Sequence, residues 1–449
     1  MIFLSEDLII EEIEKNKDEI IEFCQKIIKT DSINPPGNEA NVAKIIKMLL
    51  EENNIECQYI DMGNNRANLI ATLKGKESGK KKLLFNGHMD VVPIEKEELW
   101  KYPPLSATIK RKRIYGRGSA DMKGPLTAMI MAMITLKRLN YPLKGALILN
   151  CVSDEEVGGA LGTKYCVENF PEIRPDAIIV GEPSGMDPLP KAILIGEKGR
   201  IEVEITTHGR SCHASMPSLG TNSIEMFRKI YSNFPKLKNY IDVDPPFSED
   251  ELISMLSETF PSKEILNRII KEQPLLQGLL DALSSFTYSC TIIKSGIKEN
   301  VVPGECKALF DFRLLPGQKV EDTVRGVEKL IQDLGYEVKD SKDASDDEIY
   351  VSIKLKDQSE PSLIDNLNYE IIDILKKSYN DIYGKKSYLM LMPATTDARF
   401  FRNIGFCPQT IVFGPGAATL AHAVNEYIEI KDLINATKTY AITAARFLI

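Results

Sequence analysis

The sequence predicts an α/β protein in which a sheet with parallel members, flanked by helices, is interrupted by a smaller α+β unit. Three observations carry this. Apolar β-rich runs alternate with helical patterns through the first part of the chain, the order that builds sheets with parallel members. From about Arg200 the order changes to β-α-β-β-α-β, which belongs to a two-layer α+β unit. Around Pro361 the first style resumes, so the chain leaves one domain, builds another and returns. Two domains are also the default for 449 residues, and a hydrophobic content of 43% suits a chain that buries a large core.

The elements follow in order. Residues 6–29 carry isoleucine and leucine at helical spacing among Glu and Lys and read as an amphipathic helix, which cannot continue through Asn34-Pro35-Pro36-Gly37. A second helix spans 39–52. Strands are expected at 55–60, 68–73 and 82–85, a helix rich in Met, Ala and Leu at 122–139, and strands at 146–152 and 177–180. In the second unit, strands at 201–207, 288–293, 306–314 and 350–355 accompany helices at 223–233 and 320–334. The stretch 235–285 is long for such a unit and reads as an added helical segment. The acidic, serine-bearing 341–348 reads as a mobile loop, and a helix at 363–379 and a strand at 409–413 follow it. The expected division is 1–199 and 358–449 for the first domain, with 200–357 inserted.

Composition narrows the function. A net charge of −8 leaves no basic surplus to neutralise phosphates, which argues against a nucleic-acid partner. The basic runs at 80–82 and 110–113 read as solvated charge. Eight cysteines are scattered without a C-x-x-C pair and read as buried free thiols in a reducing compartment. The N-terminus turns acidic at once, and no apolar stretch approaches the ~20 residues that span a bilayer. These features predict a cytoplasmic protein with no membrane partner.

Chemistry-bearing residues gather where predicted strands end. His88 and Asp90 stand in Gly87-His88-Met89-Asp90, Glu155 and Glu156 in Ser153-Asp154-Glu155-Glu156-Val157-Gly158-Gly159, and Glu182 just past the strand at 177–180. In sheets with parallel members, functional residues collect at the carboxyl edge. With Asp121, just before a helix, and His422, in the returning segment, the set offers the oxygen and imidazole ligands that a pair of zinc-like ions prefers. Taken singly, each has a plainer reading: His-x-Asp as a loop cap, Asp121 as a helix N-cap, adjacent glutamates as solvated charge. Taken together, they predict a two-metal hydrolase. Asp90 can accept from the other ring nitrogen of His88 and fix its tautomer. Adjacent residues on a tight connection point apart, so one glutamate of Glu155-Glu156 can ligate while the other faces the reacting water as a base.

Of the four histidines, His208 reads as a satisfied strand-end residue. His213 lies in the second unit, and it suits stabilisation of an oxyanion better than ligation. Arg313 and Arg399 could each clamp a carboxylate or form a structural ion pair. The loop Gly414-Pro415-Gly416 could line a pocket.

In these motifs, with Gly116–Gly124 and Asn300-Val301-Val302-Pro303 between them, the chain resembles the M20 metallopeptidase family, which holds acetylornithine deacetylase, succinyl-diaminopimelate desuccinylase, aminoacylase-1 and glutamate carboxypeptidase. The likeness covers nearly the whole length, in order. It implies a zinc-peptidase-like mixed sheet flanked by helices, with the inserted unit as a lid and dimerisation domain. It implies two Zn2+ per subunit, for which Co2+ or Mn2+ could substitute at a His/carboxylate site. Asp121 would bridge the ions, His88 and Glu182 completing one site and Glu156 and His422 the other. Glu155 would be the base toward a metal-bridging water, and the Asp121–Met122 peptide would be cis. His213, with Asn300, would reach the active site of a partner subunit in a homodimer, and Asn300, Arg313, Arg399 and Gly416 would bind substrate. The implied activity is cleavage of the amide bond of N-acyl amino acids, with a metal-dependent carboxypeptidase or dipeptidase as the alternative in the same fold. A non-catalytic relative would have no chemical need for Glu155. Ala417-Ala418 stand where the desuccinylase carries an asparagine, which counts against recognition of a succinyl group.

Overall fold

The computed structural model describes residues 5–77, 80–186, 189–340, 342, 345 and 348–449. Most of 341–348, expected as a mobile loop, lies outside the described residues.

A nine-stranded mixed sheet forms the larger unit. At its centre Ala146–Val152, Lys82–His88, Ala177–Val180 and Thr410–Val412 lie side by side, each parallel to the next. Both faces of these strands are buried, which is why they read as unbroken apolar runs without alternation. The hairpin of Cys57–Gly63 and Arg66–Leu73 extends the sheet antiparallel on one side. On the other, Ala192–Glu197 pairs antiparallel with Thr410–Val412 and parallel with Tyr388–Met392. The helix Lys123–Arg138, buried on nearly every side, lies on Lys82–His88 and Ala146–Val152, with the helix Ile430–Phe447 packed against it. Among the described residues no helix is long and apolar enough to cross a membrane. The eight cysteines are free thiols, Cys24, Cys151, Cys166, Cys306 and Cys407 buried.

The second unit is a four-stranded antiparallel sheet in the order Thr287–Ser295, Glu305–Leu314, Gly199–His208, Tyr350–Ser359. Burial alternates along Glu305–Leu314, one face packed on the helices Ser223–Asn233 and Val320–Asp333 and the other open. It has its own apolar core, centred on Phe234, Phe310 and Phe312. We propose the division at 200 and 357 on the strength of these separate cores. The chain crosses between them twice, side by side: Glu197 pairs with Ser362 in the large sheet and Arg200 with Ser359 in the small one. His208, as expected, closes its strand satisfied, bonding Ser352 Oγ at 3.0 Å and stacking on Tyr350.

Several elements differ from expectation. The first helix is two, Glu6–Lys15 and Lys17–Lys29. Asn16 leaves the helical backbone and its side-chain amide donates to Glu12 O at 2.8 Å, competing with the helix for that carbonyl. The strand at 82–85 runs on to His88 because Asn86, Gly87 and His88 pair with Asn150, Cys151 and Val152, overriding their weak strand preference. The helix expected from 363 starts at Glu370, since Ser362 and Leu363 are held in the sheet. The added segment contains the helices Glu249–Ser257, Lys263–Glu272 and Pro274–Leu283, started by a Ser248/Glu251 capping box, a Ser262 cap and Pro274. Their apolar residues, Leu252, Leu256, Ile270 and Leu280 among them, join the core of the large unit and not that of the small one.

Candidate metal centre

The parallel strands deliver their acidic and imidazole groups to one edge. His88 closes its strand, Glu182 follows Val180, and the Glu155-Glu156 turn follows Val152. That turn is pinned from three sides. Asp154 stands at φ +72°, in the left-handed region that non-glycine residues rarely adopt, and its carboxylate meets Arg66 at 2.9 Å. Arg66 also pairs with buried Glu39 at 2.7 Å. The Asp90 carboxylate accepts from the backbone N–H groups of Glu155 (3.2 Å) and Glu156 (3.1 Å) and from the Asn34 amide (2.8 Å). His88 Nδ1 donates to the Asp90 carbonyl oxygen at 3.0 Å and has the Asp90 carboxylate at 3.5 Å. In the neutral ring this fixes the tautomer and leaves the Nε2 lone pair facing the site.

Asp121 is not the cap of the following helix; Met122 holds that position, and the Asp121–Met122 peptide is cis. The Asp121 carboxylate points between two imidazoles, Oδ1 at 3.1 Å from His88 Nε2 and Oδ2 at 3.3 Å from His422 Nε2. Glu182 Oε1 lies 3.5 Å from His88 Nε2, and Glu156 Oε2 3.0 Å from His422 Nε2. Two groups result, His88–Asp121–Glu182 and Asp121–Glu156–His422, and in each the ligand atoms lie within 4.8 Å of one another. Asp121 belongs to both. His422 stands half exposed at the mouth with φ +61°, while His88, Asp121 and Glu182 are buried and Glu156 is partly buried.

Charge in this cluster is unbalanced. Burial alone would lower the pKa of His88, but the charge of Glu182 and hydrogen bonds to Asp121 and Asp90 hold it well above the ordinary range. Hydrogen bonds to Asp121 and Glu156 lift His422 to about 10. Burial, and then the charge of Asp121, push Glu156 and Glu182 upward. Glu156 Oε1 and Glu182 Oε1 are buried and lack any hydrogen-bond partner. A pair of divalent cations fits these residues: it would take up the orphaned oxygens and the excess negative charge, which protons on the imidazoles otherwise offset.

A cavity of about 370 Å³ opens onto both groups, and Glu155 lines it beside Asp121, Glu156, Glu182 and His422. Glu155 is in neither group. Burial pushes its carboxyl well above the usual carboxylate range; neighbouring Asp397 and Glu156 add to this, against the pull of His88 and Arg399.

The remaining candidates lie elsewhere. His213 is exposed on the small unit, its Nδ1 accepting from Ser215 Oγ at 2.7 Å, and Asn300 is its neighbour across a short ribbon, where Ala214 N–H donates to Asn300 O at 2.9 Å. Arg313 is spent on Asp311 at 2.7 Å. Arg399 is buried and donates to Thr396 O (2.8 Å) and Gly158 O (3.0 Å), so it braces the glutamate turn from behind. Gly416 lines an adjoining hollow, its N–H donating to Asp432 Oδ2 at 2.7 Å. None of these residues is in the wall of the cavity.

Two groups that sequence reasoning missed hold the centre together. The buried Glu426 carboxylate accepts from the N–H groups of Ala120 (2.7 Å) and Asp121 (3.0 Å) and pairs with Arg117 at 2.7 Å, while Arg117 donates to His422 O at 3.2 Å. The available signal was an acid four residues after His422 with an arginine four before Asp121. Asp397 Oδ2 accepts from Thr163 Oγ1 at 2.7 Å beneath the turn, and nothing in the sequence alone linked it to Glu155.

A mixed sheet with paired acid-and-imidazole groups at the carboxyl ends of its parallel strands is the frame of a metal-dependent hydrolase. Known proteins agree: residues 84–446 match the family model described as Peptidase family M20/M25/M40, and the chain belongs to that family. It is 27% identical over 426 residues to a probable succinyl-diaminopimelate desuccinylase of Staphylococcus aureus, covering 92% of this chain and 94% of the relative. It is also 27% identical over 450 residues to an N-formyl-4-amino-5-aminomethyl-2-methylpyrimidine deformylase of Halalkalibacterium halodurans, covering 95% and 94%. Among solved structures, an M20 family metallo-carboxypeptidase from Sulfolobus solfataricus shares the fold with a TM-score of 0.75 at 22% identity, covering 96% of this chain and 99% of that one.

Shared and unshared ligands should separate in metal content. Elemental analysis of purified variants is expected to show two divalent ions per chain in the parent, about one in Glu182→Gln, and none retained in Asp121→Ala. An Asp121→Ala protein that keeps one full equivalent would contradict the sharing.

Proposed function

We propose that the chain is a di-metal amidohydrolase that removes the acyl group from N-acyl amino acids. The observation that carries this is Glu155: a carboxyl in the cavity wall, beside both ligand groups and committed to neither. The two relatives described above are named for removing succinyl and formyl groups, which favours deacylation over peptide cleavage.

When bound, two cations would supply Lewis-acid polarisation of the scissile carbonyl and make water acidic enough to react near neutral pH. His88, Asp121 and Glu182 would hold one ion, and Asp121, Glu156 and His422 the other. Zinc is the ion we expect for these ligands, with cobalt or manganese also suited. Glu155 takes the proton of the attacking water on its carboxylate and returns it to the leaving nitrogen. Asp90 and Arg399 keep the turn in place and so aim Glu155.

His213 and Asn300 we assign to the cavity of a second copy, where the imidazole would stabilise the developing oxyanion. Both are exposed, and the edge strand Thr287–Ser295 of the same unit shows Ile292 (49% exposed) and Ile293 (54%), followed by Ile297 (91%), apolar surface that suits a homodimer formed through this unit. Full activity in a protein that sediments as a monomer under assay conditions would rule this assignment out. The alternative is a carboxypeptidase, the activity for which the Sulfolobus protein is named, and it would draw on the same residues.

Glu155→Gln tests the reading. It is expected to keep its metal content and melting behaviour and to lose at least ~100-fold in kcat on N-acyl amino acids, the scale of a general base. Unchanged kcat would remove Glu155 from the chemistry. Release from dipeptides but from no N-acyl amino acid would transfer the chain to the peptidase alternative.

A further inference from the structure

The cavity's lining is of two kinds. Asp121, Glu155, Glu156, Glu182 and His422 are ionisable, and the larger part of the rest is apolar, with the hydroxyls of Ser184, Thr395, Thr396 and Thr419 among it. Ala192 and Leu194 stand there opposite Tyr388 and Met390 on two parallel strands, with Met392 two residues on, so they present one face by the two-residue period of a strand. Leu279, from the added helical segment, also lines the cavity. The wall is fixed and not a flap. The helix Glu249–Ser257 packs on Tyr388–Met392, and the segment's buried leucines are continuous with the core of the large unit. Lys198 ties the end of the segment to the crossover between units, donating to Ala282 O at 2.8 Å and Ser285 O at 2.7 Å. Among the described residues, no lysine or arginine lines the cavity.

We propose that the wall formed by Leu194, Tyr388, Met390, Met392 and Leu279 is a specificity pocket for an uncharged apolar group of the substrate, to which the added helical segment contributes Leu279. The inference rests on the amidohydrolase reading and names the substrate class within it. An apolar group entering this pocket exchanges water for side chains of matching character. A charged group entering it would be desolvated without a partner. A succinyl group, with its free carboxylate, is therefore excluded from this pocket.

The apolar group could come from the acyl chain or from the amino-acid side chain, and two substrate series separate these sources. One keeps N-acetyl and varies the amino acid through alanine, leucine, methionine, phenylalanine, aspartate and lysine. The other keeps one amino acid and varies the acyl group through acetyl, butanoyl, hexanoyl and succinyl. With metal-loaded, full-length protein, kcat/KM is expected to rise about tenfold or more along the apolar members of one series, as added methylenes do in apolar pockets. The charged members of that series should fall on the order of 100-fold below the best apolar one, the penalty of an unpaired buried ion. Leu279→Lys should shrink the ratio of apolar to acidic substrates by about tenfold or more in that same series; a role in stability alone would lower every substrate together. Hydrolysis with flat profiles in both series, or with charged members preferred, overturns the pocket while leaving the amidohydrolase reading intact. No hydrolysis of any member with both metals bound overturns that reading and the pocket with it.

Discussion

The arrangement turns on one buried carboxylate held between two imidazoles. Asp121 can serve both ligand groups only if its backbone is fixed, and that is the work of the Glu426 carboxylate on the N–H groups of Ala120 and Asp121. Glu426 is itself a buried acid, tolerable because Arg117 pairs with it and both backbone donors are satisfied. Arg117 then reaches the His422 carbonyl, so one ion pair orients the shared carboxylate and the imidazole farthest from it in sequence. Clustering so many acids is costly for the fold without counter-ions. The orphaned oxygens of Glu156 and Glu182 show where that cost is concentrated.

The frame around this centre explains why the chain is interrupted by a second unit. The crossover strands meet at Glu197, a buried acid that accepts from Ser362 Oγ at 2.8 Å and from Thr396 N–H at 2.9 Å. Thr396 is in the cavity wall, the charge of Asp397 acts on Glu155, and Arg399 braces the Glu155-Glu156 turn, so one short stretch joins the crossover to the cavity. The added helices then pack on the large unit, although the sequence places them within the small one.

Much of this was legible in the chain and some was not, for physical reasons. The central strands could be read because burial on both faces makes continuous apolar runs, and 146–152 and 177–180 matched to the residue. The ligand groups were legible as motifs at strand ends, and the structure brings together His88, Asp121, Glu156, Glu182 and His422. The strands Ala192–Glu197 and Tyr388–Met392 were missed: no turn residue separates the first from the strand that follows, and the second carries an ambiguous Leu-Met pattern. Arg399 and Arg313 stayed open between a substrate clamp and a structural ion pair, because a guanidinium in a motif does not disclose its partner. Only folding shows that one faces backbone carbonyls and the other an aspartate on its own strand. Glu426 left only a faint signal, an acid near His422 and an arginine near Asp121, because two of its partners are backbone N–H groups; Asp397 left none, its partner being the hydroxyl of distant Thr163.

The shared carboxylate is tested most directly by a crystal structure of the zinc-loaded chain with anomalous data at the zinc edge. Two peaks are expected on either side of Asp121, roughly 3.5–4 Å apart as in two-metal sites generally. One would be ligated by His88 and Glu182 and the other by Glu156 and His422. A single peak, or two peaks with Asp121 bound to only one of them, would contradict the shared carboxylate.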